Sequence, residues 1–249
     1  MAELPNHNDY YQVLFEDNHL LIVNKEPGVL AQGDKTGDRP LIELCKEYIK
    51  AKYNKPGDVF LGLVHRLDRP TSGIVVLART SKALERMTKI FRERKVQKYY
   101  WAIVKRRPKE LKGKLVDYLL KDEQSNTVSV VDEKTPGAKR AELRYRVMGK
   151  LNDHWLLEVE LLTGRPHQIR AQLGHIGSPI RGDVKYGFRH PDKDGNIHLH
   201  ARRIYFEHPV KKEPLSLTAG VPRTDFWEQF LALDDVKVKV KDKDIDKLY

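Results

Sequence analysis

The alternation of apolar and polar positions divides the chain into short elements. Tyr11-Gln-Val-Leu-Phe and Leu20-Leu-Ile-Val read as two strands around the turn Glu16-Asp-Asn-His, since apolar runs bounded by turn formers suit a pleated, half-buried surface. A Gly- and Asp-rich loop runs from Gln32 to Pro40. Leu41, Leu44, Cys45, Tyr48 and Ile49 then recur at helical spacing and predict a helix over 41–53. Ile74-Val-Val-Leu-Ala is a β-branched run of strand length. Ser81 is the expected N-cap of a helix reaching about Arg94, with Leu84, Met87, Ile90 and Phe91 on one face and Lys82, Arg86, Lys89 and Arg92 largely elsewhere. Residues 99–104, 142–148 and 155–162 read as further strands. In the second of these, Leu143, Tyr145 and Val147 alternate with Glu142, Arg144 and Arg146. A helix starting near Pro166 would carry Ile169, Leu173 and Ile176.

Strands interleaved with a few helices at hairpin-like spacing predict an α+β fold, a mixed and mostly antiparallel central sheet with flanking helices. The expected organisation is one domain over residues 10–233, a loose N-terminus over 1–9 and a charged extension over 234–249. In that extension Val236-Lys-Val-Lys-Val alternates like an edge strand, although its charge fits a frayed tail at least as well. There is no internal repeat and no Pro- or Ser-rich linker.

Composition narrows the function. The 249 residues include a single cysteine, Cys45, which excludes an intrachain disulfide and a Cys-based zinc site. The apolar run 74–78 is far too short to cross a bilayer, and the first residues lack a basic stretch followed by an apolar one. The expectation is a cytoplasmic protein, a monomer with no obligate protein partner and no membrane association. The net charge is +11. Residues 79–114 hold 14 basic and three acidic side chains, which equals that whole excess. A basic segment on an otherwise balanced chain points to a polyanion, RNA or DNA first, against the common alternative of a solvated helix face.

Three segments carry chemistry. In Val64-His65-Arg66-Leu67-Asp68-Arg69-Pro70-Thr71-Ser72-Gly73 one carboxylate lies between two arginines, and a Pro-Thr-Ser-Gly turn leads into an apolar strand. A positioned carboxylate is a nucleophile, a base or half of an ion pair, the last being the commonest outcome for such residues. Thr163-Gly164-Arg165-Pro166-His167-Gln168-Ile169-Arg170 sets two arginines around a strand-to-helix turn, where arginine meets phosphate or carboxylate bidentately. Gln97-Lys98-Tyr99-Tyr100-Trp101 mixes aromatic and basic side chains, as stacking on nucleobases requires, and alternation puts Tyr100 opposite Tyr99 and Trp101. His198-Leu-His200 has no cysteine or carboxylate-rich helix beside it and is weak as a metal site. Gly-rich dinucleotide and phosphate loops and a Gly-x-Ser-x-Gly elbow are absent. The run His65–Asp68 shares residue types with the kinase His-Arg-Asp, but the other kinase motifs are missing.

Together the three segments resemble the RluA-type pseudouridine synthase family. The runs His-Arg-Leu-Asp-x-x-Thr-Ser-Gly (65–73), Lys-x-Tyr-x-Ala (98–102) and Thr-Gly-Arg-x-His-Gln-Ile-Arg (163–170) occur in the family's order, with echoes at Asn24-Lys25, Gly28 and Gly182-Asp183. The resemblance implies isomerisation of uridine to pseudouridine in tRNA or rRNA, without metal or other cofactor. It implies Asp68 as the catalytic carboxylate, Tyr100 as the tyrosine packed on the target base, and Arg170 as the arginine paired with the aspartate. Arg66 would fill the space left by the flipped nucleotide. His65, Arg165, His167 and Gln168 are expected to contact substrate, and Arg86, Lys89, Arg92, Lys95 and Lys98 to form the RNA-binding surface. About ten residues precede the first strand, so an S4-type RNA-binding domain is not expected and RNA selection falls to the catalytic domain. The rival reading is an inactive RNA-binding or chaperone module on the same fold.

Overall fold

The computed structural model describes residues 7–34, 36–192 and 194–235. In chain order the strands and helices are β1 (Tyr11–Glu16), β2 (Leu20–Lys25), α1 (Leu41–Lys52), β3 (Gly62–Leu63), β4 (Ser72–Ala78), α2 (Ser81–Arg92), β5 (Val96–Val104), β6 (Lys112–Asp122), β7 (Thr127–Val131), β8 (Lys139–Leu151), β9 (His154–Leu161), α3 (Gln168–His175), β10 (Leu199–Glu207), β11 (Pro214–Thr218), α4 (Asp225–Glu228) and α5 (Ala232–Asp235). The strands form one sheet in the order β1-β2-β4-β10-β5-β9-β8-β6-β7, with β3 added to β4 and β11 to β10. Every pairing is antiparallel except β4 with β10. The fold is the expected α+β arrangement.

The parallel pair decides the shape of the centre. Only His200–Ser72 and Ala201–Gly73 join β4 to β10, after which β10 continues along β11. Gly73 has φ +112, and a Cβ there would lie 2.4 Å from the Ala201 carbonyl oxygen, so only glycine allows this approach. Beyond it, Ile74 and Val76 of β4 and Ile204 and Phe206 of β10 share one apolar cluster with Met87 of α2. Helix α2 thus fills the opening between the two strands. The other face of the sheet packs Val23, Val75, Tyr100, Ala102 and Val159 against α1 and α3, and this is the face that carries the candidate site.

Several boundaries differ from the sequence reading. Thr80 caps α2, its side chain accepting from the Ala83 amide, so the cap falls one residue before Ser81. Helix α3 starts at Gln168 rather than near Pro166 because His167, at φ 49, turns the chain through the left-handed region first. Strand β8 extends to Lys139 and Leu151, well past 142–148, and β6 and β7 were not foreseen. Their apolar positions are irregular, and pairing with β8 organises β6. Asp234, assigned to the tail, bonds Arg202 at 2.6 Å and belongs to the fold. The strand or frayed tail read over 236–249 and the loose residues 1–6 lie outside the described residues, whereas His7–Asp9 form a 3-10 turn. Among the described residues no helix is long and apolar enough to cross a membrane.

Candidate active site

Asp68 sits on the loop entering β4, and backbone bonds fix that loop. The Thr71 amide donates to the Asp68 carbonyl at 3.0 Å, and the Gly28 amide donates to the Arg69 carbonyl at 2.9 Å. Beneath them lies Lys25, fully buried, its ammonium donating to the carbonyls of Val29, Glu26 and Arg69 at 2.8–3.2 Å. Burial pushes the Lys25 pKa down to about 7, against the pull of the nearby Asp68 charge. The arginines flanking Asp68 in sequence are not its partners. Arg69 turns to Asp38 (2.6 Å) and to the Gly28 carbonyl, and Arg66 is exposed on the rim of a cavity of about 700 Å3 lined also by Gln32, Pro40, Leu63 and His65.

The partner of Asp68 comes from α3. Arg170 Nη1 donates to Asp68 Oδ2 at 3.0 Å, while Nε and Nη2 bind both oxygens of Asp183 at 2.7 and 2.9 Å. Asp183 is 1% exposed and Arg170 6%. Burial opposes the guanidinium charge, but Asp183 and then Asp68 hold its pKa above the ordinary value. The Tyr186 ring lies 4.9 Å from the guanidinium carbon. The sequence had offered Asp183 only as an echo and missed Tyr186. Position 183 is fixed by a loop, not by any periodic pattern.

His167 approaches the same oxygen, its Nε2 3.7 Å from Asp68 Oδ2. The Tyr186 hydroxyl accepts from the Val128 amide at 3.0 Å and shares a second hydrogen bond with His167 Nδ1 at 2.7 Å. Burial lowers the His167 pKa, ahead of the opposing effect of Asp68. Both contacts of Asp68 therefore fall on Oδ2, and among the described residues Oδ1 has no protein donor. Tyr100 lies on the site face of β5 and is 7% exposed; burial and then the Asp68 charge raise its pKa. Its hydroxyl has no hydrogen-bond partner among the described residues. As alternation requires, Trp101 goes to the opposite face, with Trp227 and Phe230.

Other residues expected to contact substrate have partners within the protein. Gln168, 2% exposed, accepts from the Thr163 hydroxyl and the Arg165 amide and donates to the Glu142 carbonyl and Gln172 Oε1. All its polar capacity goes to holding the turn before α3. His65 Nε2 accepts from the Val76 amide and its ring stacks on Phe91 at 4.9 Å, which ties the Asp68 loop to β4 and α2. Burial and then Lys98 push its pKa down to about 3. Arg165 is half-buried with Nε on the Arg140 carbonyl. Arg86, Lys89, Arg92 and Lys95 are exposed on and just after α2, with Lys89 and Lys95 sharing Glu93. Lys98 departs from that set, being half-buried under Phe91, 5.8 Å from the ring centre. His198 stacks on Trp227 and His200 Nδ1 bonds the Ser72 hydroxyl at 2.9 Å, so both belong to packing.

Comparison with known proteins gives a consistent result. The family model described as RNA pseudouridylate synthase matches residues 19–175. Ribosomal large subunit pseudouridine synthase C of Vibrio vulnificus is 36% identical over 213 residues, covering 83% of this chain and 64% of the relative. An uncharacterised RNA pseudouridine synthase of Mycoplasma genitalium is 33% identical over 210 residues, covering 84% of this chain and 66% of the relative. The chain thus spans just under two thirds of the length of these relatives. Human RNA pseudouridylate synthase domain containing 4 superposes with a TM-score of 0.72 at 25% identity, over 89% of this chain and 92% of the other. The motifs at 65–73 and 163–170, the sheet that brings them together and the match over 19–175 lead to one conclusion: the chain belongs to the RNA pseudouridylate synthase family.

Proposed function

We propose that this protein isomerises uridine to pseudouridine in RNA, with Asp68 as the reacting carboxylate. The observation that carries the reading is the division of labour on Asp68: Arg170 anchors Oδ2 at 3.0 Å while Oδ1 has no donor among the described residues. A fixed carboxylate with one open oxygen is what the reaction needs at the ribose, as nucleophile at C1′ or as base toward a ribose proton. The N1–C1′ bond breaks, the uracil turns, C5 bonds to C1′, and the C5 proton is released as N1 regains one. Tyr100, apolar in body and with a hydroxyl that has no partner among the described residues, packs on the turning base in this reading and relays that proton toward solvent. The base must leave its stack first, at a cost of a few kcal/mol. Arg66, exposed beside the cavity, fits the vacated space, and the basic outer face of α2 meets the flanking phosphates.

Ribosomal RNA is the substrate to test first, because the printed names of several relatives specify the large ribosomal subunit. An inactive RNA-binding module is disfavoured, since binding alone does not require a carboxylate clamped by Arg170 with one oxygen open. The test is tritium release from [5-3H]uridine in unmodified rRNA and tRNA transcripts. Wild type should release tritium and Asp68→Asn should release none while still binding RNA. Release that survives the substitution, or a wild type that releases nothing from any RNA it binds, overturns the reading.

A further inference from the structure

The three segments that meet at Asp68 meet a second time, one strand repeat away. Lys98 and Tyr100 point to the same face of β5, about 7 Å apart along the strand. Around the Lys98 ammonium stand Phe91 of α2 at 5.8 Å, His65 of the Asp68 loop and Gly164 of the turn leading to Arg170. A Cβ on Gly164 would sit 3.6 Å from Lys98 Nζ and meet no other atom within 4 Å. Gly164 needs no left-handed backbone, so what its missing side chain provides is open space over the ammonium.

Lys98 has no anionic partner among the described residues. No carboxylate and no carbonyl among them accepts from it, and its ammonium lies 5.8 Å from the centre of the Phe91 ring. The groups facing it are an aromatic ring, an imidazole kept neutral by burial, and a glycine. By contrast Lys25, also buried, has three carbonyls. Half-burying a cation with no counter-charge is unfavourable unless a ligand supplies one. Burial alone lowers the Lys98 pKa to about 8, the direction expected of an unpaired ammonium waiting for an anion.

We propose that Lys98 holds a backbone phosphate of the RNA strand, within one nucleotide of the uridine at Asp68. The inference rests on the isomerase reading for the identity of the anion and goes beyond it in naming a contact. A lysine serves here as a compact point charge, reaching phosphate past Gly164 while Phe91 shields its flank. The contact differs in kind from those of Arg86, Lys89 and Arg92, which lie in solvent and are screened by salt.

The test is the salt dependence of binding to an unmodified large-subunit rRNA transcript, for wild type, Lys98→Gln and Lys98→Arg, with thermal melting of each. Lys98→Gln should bind about tenfold or more weakly and reduce the slope of log K against log salt by about one. It should melt no lower than wild type, because removing an unpaired charge relieves the fold. Lys98→Arg should recover the slope. An unchanged slope, or a melting loss that accounts for the weakened binding, makes Lys98 a prop for the Phe91–His65 stack and overturns the inference. Tritium release by wild type on the same transcript separates the two readings. Release with an unchanged slope removes only the Lys98 site, whereas no release with a changed slope keeps the phosphate contact and removes the isomerase.

Discussion

Arg170 holds two carboxylates, and the two have different jobs. Asp183, buried and bound bidentately, fixes the plane of the guanidinium, and the remaining nitrogen reaches Asp68. His167 completes the arrangement, its ring tied to Tyr186, whose hydroxyl is itself held by the Val128 amide. Tyr186→Phe removes that hydroxyl and leaves the ring that faces Arg170. We expect kcat to fall roughly threefold to tenfold, the effect of one hydrogen bond, with KM unchanged. Steady-state tritium release measures both, and a change in KM alone would show that Tyr186 acts on binding instead. At this scale the sequence named Asp68, Tyr100 and Arg170 through their motifs. It did not reveal that Gln168 and His65 are bonded within the protein, because residue type does not show whether a polar group already has a partner.

At the scale of elements, local pattern and tertiary contact contribute unequally. Strands β1, β2, β4 and β5 and helices α1 and α2 follow their apolar periodicity to within a few residues. The cap of α2 separates two adjacent candidates of similar chemistry. Thr80 has extended backbone (φ −138, ψ 152) and accepts from the Ala83 amide at 3.1 Å, whereas Ser81 is already helical. Thr80→Ala should therefore cost about 1 kcal/mol in urea unfolding and Ser81→Ala much less. Equal effects would place the cap elsewhere. Strands β6 and β7 were invisible because their register comes from β8 and from each other.

The whole molecule adds a response to acid that no segment shows alone. His65, His198 and His200 are kept neutral by burial, with pKa values pushed down to about 3, about 4 and about 3. In the unfolded chain each titrates near 6.5. Between those values the unfolded state binds more protons, so stability falls as pH drops from about 6.5 toward about 3. Urea midpoints should decline already between about pH 6.5 and 5, before most carboxylates titrate. His200→Asn should flatten that decline, and a midpoint constant over this range would refute the account. His65 and His200 both bond to β4 or its first residue, so acid loosening acts on the strand that carries the Asp68 loop.

The sequence by itself determined the family, its motifs and the elements with strong periodicity, since short-range spacing suffices for motifs, helices and hairpins. Only the tertiary structure decided which charges meet. Asp68 has arginines one and two positions away in sequence, yet its partner is Arg170, 102 residues distant. The +11 excess concentrated in residues 79–114 read as one RNA surface. Folding divides it among exposed α2, the core strand β5 and β6, where Lys114 pairs with Glu142 at 2.7 Å. From that segment it leaves Lys98 half-buried and without an anion among the described residues. The reason is physical: an ion pair or an unpaired charge is set by distance and desolvation, and both depend on chain segments remote in sequence that only the assembled sheet brings together.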